Sequence, residues 1–203
     1  MCNKKLESGI FLTCVLFTVV GCTTVTLPSG PKAFALVQYP NAVTLGVPKV
    51  EDARGVAKMG TIGALSINMD DKVTGFVSDY LINCLNNDLK MNVQRIKDVN
   101  AADLTSIAKE YHLDRIVVGK IISLKMFSID AILQPVETTI VLDITIYNQD
   151  GSKIYGNNFL GNNIKRVNAL AVQTSAGKLV EEAVKDSMIK VKVDDDFQKA
   201  LKI

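Results

Sequence analysis

Two hydrophobic periods run along this chain, and the switches between them mark its elements. From Asp71 to Leu89, residues Val73, Phe76, Val77, Tyr80, Leu81, Cys84, Leu85 and Leu89 recur at i, i+3 and i+4, the spacing of one apolar helix face. Asp70 or Asp71 can cap its start, and Lys72, Ser78, Asp79, Asn83, Asn86 and Asn87 fall opposite. A second helix is expected from Asn100 or Ala101 to Tyr111 on Leu104, Ile107, Ala108 and Tyr111, and a long third one from Ala169 to Val191 on Val172, Ala176, Leu179, Val180, Ala183 and Val184. Residues 194–201 add a short helix. Period two governs the rest. Val43–Val47 is the first main strand, Met91–Ile96 a short one, and the run Asp114–Phe127, apolar on both sides, reads as central. Val136–Asn148 alternates, Gln149-Asp150-Gly151-Ser152 is a hairpin turn, and Lys153–Leu160 returns, which predicts an antiparallel meander. Gly60–Asn68, with two glycines, reads as a loop or short edge strand. The order predicts an α/β (α+β) two-layer sandwich with a mixed sheet of about four to six strands and helices mainly on one face. The other sheet face is more polar and is expected to be wet or to meet a partner.

Ahead of these elements stands an address. Lys4 and Lys5 precede an apolar run from Gly9 to Gly21, about 13 residues long, whereas a spanning helix needs ~20. The run ends in Val19-Val20-Gly21-Cys22, which looks like a bacterial lipobox. The Cys22 thiol is the nucleophilic atom that takes a diacylglyceryl group, and small Gly21 lets a peptidase reach the bond between Gly21 and Cys22. The expected division is a signal peptide at 1–21, a lipidated Cys22 with a polar tether to 32, and one α/β domain at 33–203. A tether of ten extended residues reaches at most ~35 Å. Two or more acyl chains, such as palmitate, hold a protein on a membrane that it does not span. Thr23 stands where an Asp would favour inner-membrane retention in enterobacteria-like sorting, so the outer membrane, periplasmic side, is the implied location.

Composition then narrows the function. The chain has 203 residues, 48% hydrophobic and 22% charged, a globular mix of single-domain size. Lys4, Lys5 and Glu7 leave with the signal, so the net charge of +2 becomes +1, too neutral for a nucleic-acid binder. Of four cysteines, Cys2 and Cys14 leave, Cys22 is modified, and Cys84 alone remains as a thiol on an apolar stripe, which fits a buried small residue. No intrachain disulfide is possible in the mature chain.

One stretch carries a resemblance. Val50-Glu51-Asp52-Ala53-Arg54 leaves the first strand, Gly60-Thr61-Ile62-Gly63 follows, and the amphipathic helix ends in Leu85-Asn86-Asn87-Asp88-Leu89. This resembles the YajG family of bacterial lipoproteins, with its Asp-x-Arg after a strand, Ile-Gly loop, helix and lipobox. The family pattern has a glycine between that helix and the next strand, where this chain has Lys90-Met91-Asn92. The resemblance implies an outer-membrane lipoprotein with no established activity. The order also resembles small periplasmic lipoprotein domains such as the TolB amino-terminal domain, the curli secretion lipoprotein and the penicillin-binding-protein activator, an analogy of fold only.

Candidate chemistry is sparse. Asp52 and Arg54, two apart on an extended stretch, share a side and are suited to clamp the following loop, or to hold a ligand. His112, the single histidine, sits at a helix C-terminus, where a capping or surface role suits it. Asp194-Asp195-Asp196 lacks the spacing of a calcium loop and reads as a helix start. Asn157, Asn158, Asn162 and Asn163 flank Phe159 and offer polar contacts. No phosphate loop, dinucleotide fingerprint, nucleophile elbow or zinc-ligand pairing occurs. The expectation is a non-enzymatic module without metal or cofactor that binds the membrane through Cys22 and an envelope protein partner. A cell-wall-acting enzyme and a lipid or small-molecule carrier are the alternatives.

Overall fold

The computed structural model describes residues 22–28, 35–55, 58–62, 65–69, 72–98, 103–128, 134–167 and 172–202. Among these residues nine strands run in chain order: β1 (Cys22–Val25), β2 (Thr44–Val47), β3 (Glu51–Asp52), β4 (Lys58–Ile62), β5 (Leu65–Met69), β6 (Asn92–Arg95), β7 (Arg115–Ser128), β8 (Gln134–Asn148) and β9 (Lys153–Val167). The helices are α1 (Lys72–Asn83), α2 (Leu104–Glu110), α3 (Val172–Val193) and α4 (Asp195–Leu201). The main sheet is ordered β6-β2-β7-β8-β9, with β3 beside β7. Strands β6, β2 and β7 are parallel, while β7, β8 and β9 form the expected antiparallel meander.

Alternation decides the layers. Val117, Ile121, Ile140, Leu142, Ile144 and Phe159 point to one face, where α1, α3 and α4 bury Phe76, Leu81, Leu179, Val184 and Phe197. The Tyr80 hydroxyl ties α1 to α3 by donating to Glu181 at 2.7 Å. The two-layer mixed fold expected from the sequence is therefore present. Among the described helices α2 alone lies on the other face, where Leu104 and Ala108 pack with Ile96, Leu113 and Ile116. The crossovers from β2 to β6 and from β6 to β7 thus use opposite faces, which makes the adjacent strands β2 and β6 a topological switch point.

Four differences from the sequence expectation have local causes. Residues 60–62 and 65–68 belong to two paired strands, because β5 lies between β4 and β1 in a second, three-stranded sheet. Strand β9 runs past Leu160 to Val167 despite Gly161, Asn162 and Asn163, since residues 134–140 of β8 need ladder partners. Its free edge is covered by α3: the Asn162 N–H donates to Asp186 at 2.9 Å and the Lys190 ammonium to the Leu160 carbonyl at 2.6 Å. After Asn83 the first helix widens into a π turn, Cys84–Asp88, closed by the Leu89 N–H on the Cys84 carbonyl at 3.0 Å. That extra residue turns Asn86 inward, so a position expected on the polar face is 0% exposed. Ser78, also expected outside, is buried; its hydroxyl donates to the Thr74 carbonyl and accepts the Val50 N–H at 2.8 Å.

Candidate functional site

Strand β1 is positioned by its neighbours. It pairs in parallel with β5, Cys22 opposite Ser66 and Val25 opposite Met69. Val25 is buried while Thr24 and Thr26 are exposed, a strand alternation that the expectation of a free polar tether overlooked. Gly177 makes room for it: a Cβ there would collide with the Thr26 carbonyl of the segment following β1. Strand β5 in turn pairs with β4, Thr61 opposite Ser66. Strand β4 lies against β7, where Gly60 packs on the Met126 carbonyl so closely that no side chain fits. Glu51 and Asp52 pair with Lys120 and Ile121, and eight residues later Gly60 meets Met126, so β4 runs the same way as β7. The main chain of Cys22 is thereby level with the far end of the β7–β8–β9 meander. Gly21, Gly63 and the signal segment 1–21 lie outside the described residues; Ile62 pairs through its backbone with Leu65.

Asp52 and Arg54 form a bidentate pair. The Arg54 Nε and Nη2 donate to the two Asp52 oxygens at 2.8 and 2.6 Å, and the Arg54 N–H adds a third bond at 3.1 Å. The Arg54 side chain is 4% exposed and that of Asp52 30%. Its Nη1 is buried without a partner. The guanidinium holds the Asp52 carboxyl below its ordinary value. Beside the pair, at the carboxyl ends of β2 and β6 and the start of α1, lies an open crevice of about 390 Å³ lined by Pro48, Lys49, Glu51, Asp52, Thr74 and Asp98. This is the switch-point position at which α/β sheets bind ligands. Glu51 is held there by Lys120 at 2.8 Å.

The remaining candidates lie apart. Cys84 is buried, and burial pushes its thiol up to about 12. His112 is exposed after α2, beside Lys109, Leu113 and Gln149. Asp194 caps α4 by accepting the Phe197 N–H at 2.7 Å, with Asp195 and Asp196 in the first turn. Asn157, Asn158, Asn162 and Asn163 are all strand residues of β9, around a buried Phe159. Sequence reasoning missed two amides that act as backbone. Asn86 accepts the Val37 N–H and donates to the carbonyls of Val37 and Met91, at 2.7–2.9 Å. Asn92 does the same for Tyr39 and Ala42, at 2.7–3.2 Å. No period in the sequence signals such pairing. Lys90, between the π turn and β6, takes the left-handed conformation, φ 60°.

No protein-family model matches the chain, and no curated protein matches it in sequence. Solved structures do resemble it. A putative neuraminyllactose-binding hemagglutinin homolog from Helicobacter pylori has 10% identity and a TM-score of 0.50, covering 87% of this chain and 96% of its own. Protein XCC0632 of Xanthomonas campestris, of family DUF330, has 13% identity and a TM-score of 0.48 over 85% and 90% of the two chains. Lipoprotein GNA1162 of Neisseria meningitidis has 9% identity and a TM-score of 0.42 over 70% and 99%. The Helicobacter likeness is one of fold.

Proposed function

We propose that this protein is a bacterial envelope lipoprotein, held by acyl chains on Cys22 at the periplasmic face of the outer membrane, where it binds or scaffolds another envelope component and catalyses no reaction. One observation carries the reading: the cysteine that closes Val19-Val20-Gly21-Cys22 is also the first residue of a docked strand. Thr23 after it supports outer-membrane sorting. Membership of the YajG-like lipoproteins belongs to the same proposal and rests on Asp52, Arg54, Gly60, Ile62 and Gly63. In support, the Asp52 carboxylate is engaged by Arg54, and Gly60 serves the contact between β4 and β7. The binding role draws on the crevice at the switch point, whose lining of Lys49, Glu51 and Asp98 suits a polar segment of a partner. The Asp52 carboxylate is held by a guanidinium, and the hollow beside His112 is lined by Lys109, Leu113 and Gln149. No helix among the described residues is long and apolar enough to cross a membrane.

Crosslinking in intact cells followed by recovery of the full chain tests the binding role. One envelope protein should be recovered reproducibly, in reduced yield from a Lys49→Glu, Asp98→Lys variant. Failure to recover any envelope protein reproducibly would contradict it.

A further inference from the structure

The docked strand has a geometric consequence. A tether would let the domain stand off the bilayer, but β1 begins at the acylated residue itself and leaves no slack. Cys22 lies two strands from Thr61, about 10 Å away at ordinary strand spacing, and Thr61 follows the Gly60 that packs on Met126. The backbone of Cys22 is therefore level with the next row across the meander, Phe127–Glu137–Ile164. In that row two large apolar side chains face solvent, Phe127 40% and Ile164 56% exposed. Exposed Lys125 stands two residues from Phe127 on its face of the sheet, and Arg166 two residues beyond Ile164.

Charge is segregated toward this end. Among the described residues of β1, β4, β5, the second half of β7, the first half of β8 and the second half of β9, the charged groups are Lys58, Lys125, Lys165 and Arg166 against Glu137. These described strand segments sum to +3, against +1 for the whole mature chain.

We propose that this end of the domain rests directly on an anionic bilayer, with Lys125, Lys165 and Arg166 among the headgroups and Phe127 and Ile164 at headgroup depth. The inference rests on lipidation of Cys22, which sets the bilayer within reach of that row. The acyl chains supply attachment; the basic and apolar side chains supply orientation, each cation favouring the docked state about fivefold. The switch-point crevice, beside β3, lies at the opposite end of the β3–β4 segment from the row level with the anchor.

The test uses the processed, acylated protein in phosphatidylcholine vesicles with and without phosphatidylglycerol, carrying a fluorophore on Ile164→Cys, Phe127→Cys or, at the far end of α3, Val193→Cys. Fatty-acid labelling of each preparation reports Cys22 separately. A quencher on the lipid headgroups should quench the probes at 127 and 164 and spare the one at 193, more strongly with phosphatidylglycerol. Lys125→Gln with Arg166→Gln, both exposed positions, should lower the docked-to-free ratio about 25-fold while circular dichroism is unchanged. Labelled protein whose probe at 164 is no better quenched than that at 193, or is unaffected by the double substitution, overturns the proposal. So does shielding that grows with protein density and not with the lipid quencher, the signature of a second copy on this face. Unlabelled protein instead overturns the lipoprotein reading beneath it.

Discussion

The Asp52–Arg54 pair separates a structural clamp from a ligand site by its energetics. Asp52→Ala leaves a guanidinium that is 4% exposed, already short of a partner at Nη1, with its Nε and Nη2 bonds gone as well. A fully buried pair broken on one side costs about 3–5 kcal/mol. Asp52 is 30% exposed, so water reaches the abandoned guanidinium and the cost falls to about 2 kcal/mol. Arg54→Met keeps most of the stem packing and leaves a carboxylate that can hydrate, for about 1 kcal/mol. Because Asp52→Ala does little once the charge of Arg54 is gone, the double variant should also lose about 1 kcal/mol, giving a coupling energy near 2 kcal/mol. Urea unfolding reads this as a midpoint shift of about 1 M for Asp52→Ala, at an m-value of about 2 kcal/mol/M. The sign with pH follows. The folded carboxyl titrates below its ordinary 3.8, so its contribution is complete above that value and is lost as pH falls through the lower, folded one. Asp52→Asn should flatten that acid limb. A cost below about 0.5 kcal/mol for Asp52→Ala, or additive single variants, would refute the clamp.

Three further outcomes are expected. Asn86→Ala removes three hydrogen bonds to the main chain of Val37 and Met91 and should cost about 2–3 kcal/mol, with faster hydrogen exchange at the Val37 amide; unchanged exchange would contradict the role assigned to this amide. Lys90→Gly relieves a left-handed backbone at φ 60° while losing the ammonium bond to the Asn87 carbonyl, and should raise the urea midpoint by the equivalent of about 0.5 kcal/mol; a lower midpoint would show that the side chain matters more than the strain. Cys84, its thiol pushed up to about 12 by burial, should resist maleimide at neutral pH in the folded protein and react fully in urea; rapid labelling of the folded protein would place it at the surface.

Where burial and periodicity coincide, the sequence was legible. The stripe Val73, Phe76, Val77, Tyr80 and Leu81 and the alternation of Ile140, Leu142, Ile144 and Ile146 each name their own element and face. Where partners are distant in the chain it was not. Thr23–Val25 resembles a linker until β5 offers it a ladder, and residues 161–167 resemble a loop until β8 requires pairing. Asn86 looks like a surface amide until a π turn shifts the helix by one residue. The Asp52–Arg54 ion pair was readable because its members are two apart; the crevice beside it, assembled from the ends of β2 and β6 and the start of α1, has no linear signature. Cys22 is the opposite case: its setting in Val19-Val20-Gly21-Cys22 is local, but its place in a strand paired with β5 emerges only from the fold.

Metabolic labelling with radioactive palmitate in a lipoprotein-producing bacterium tests the central claim most directly. The full chain should be labelled and should fractionate with the outer membrane, whereas Cys22→Ala should carry no label and accumulate as a precursor retaining residues 1–21. Labelling that persists in Cys22→Ala, or a wild-type chain that is never labelled, would contradict the account.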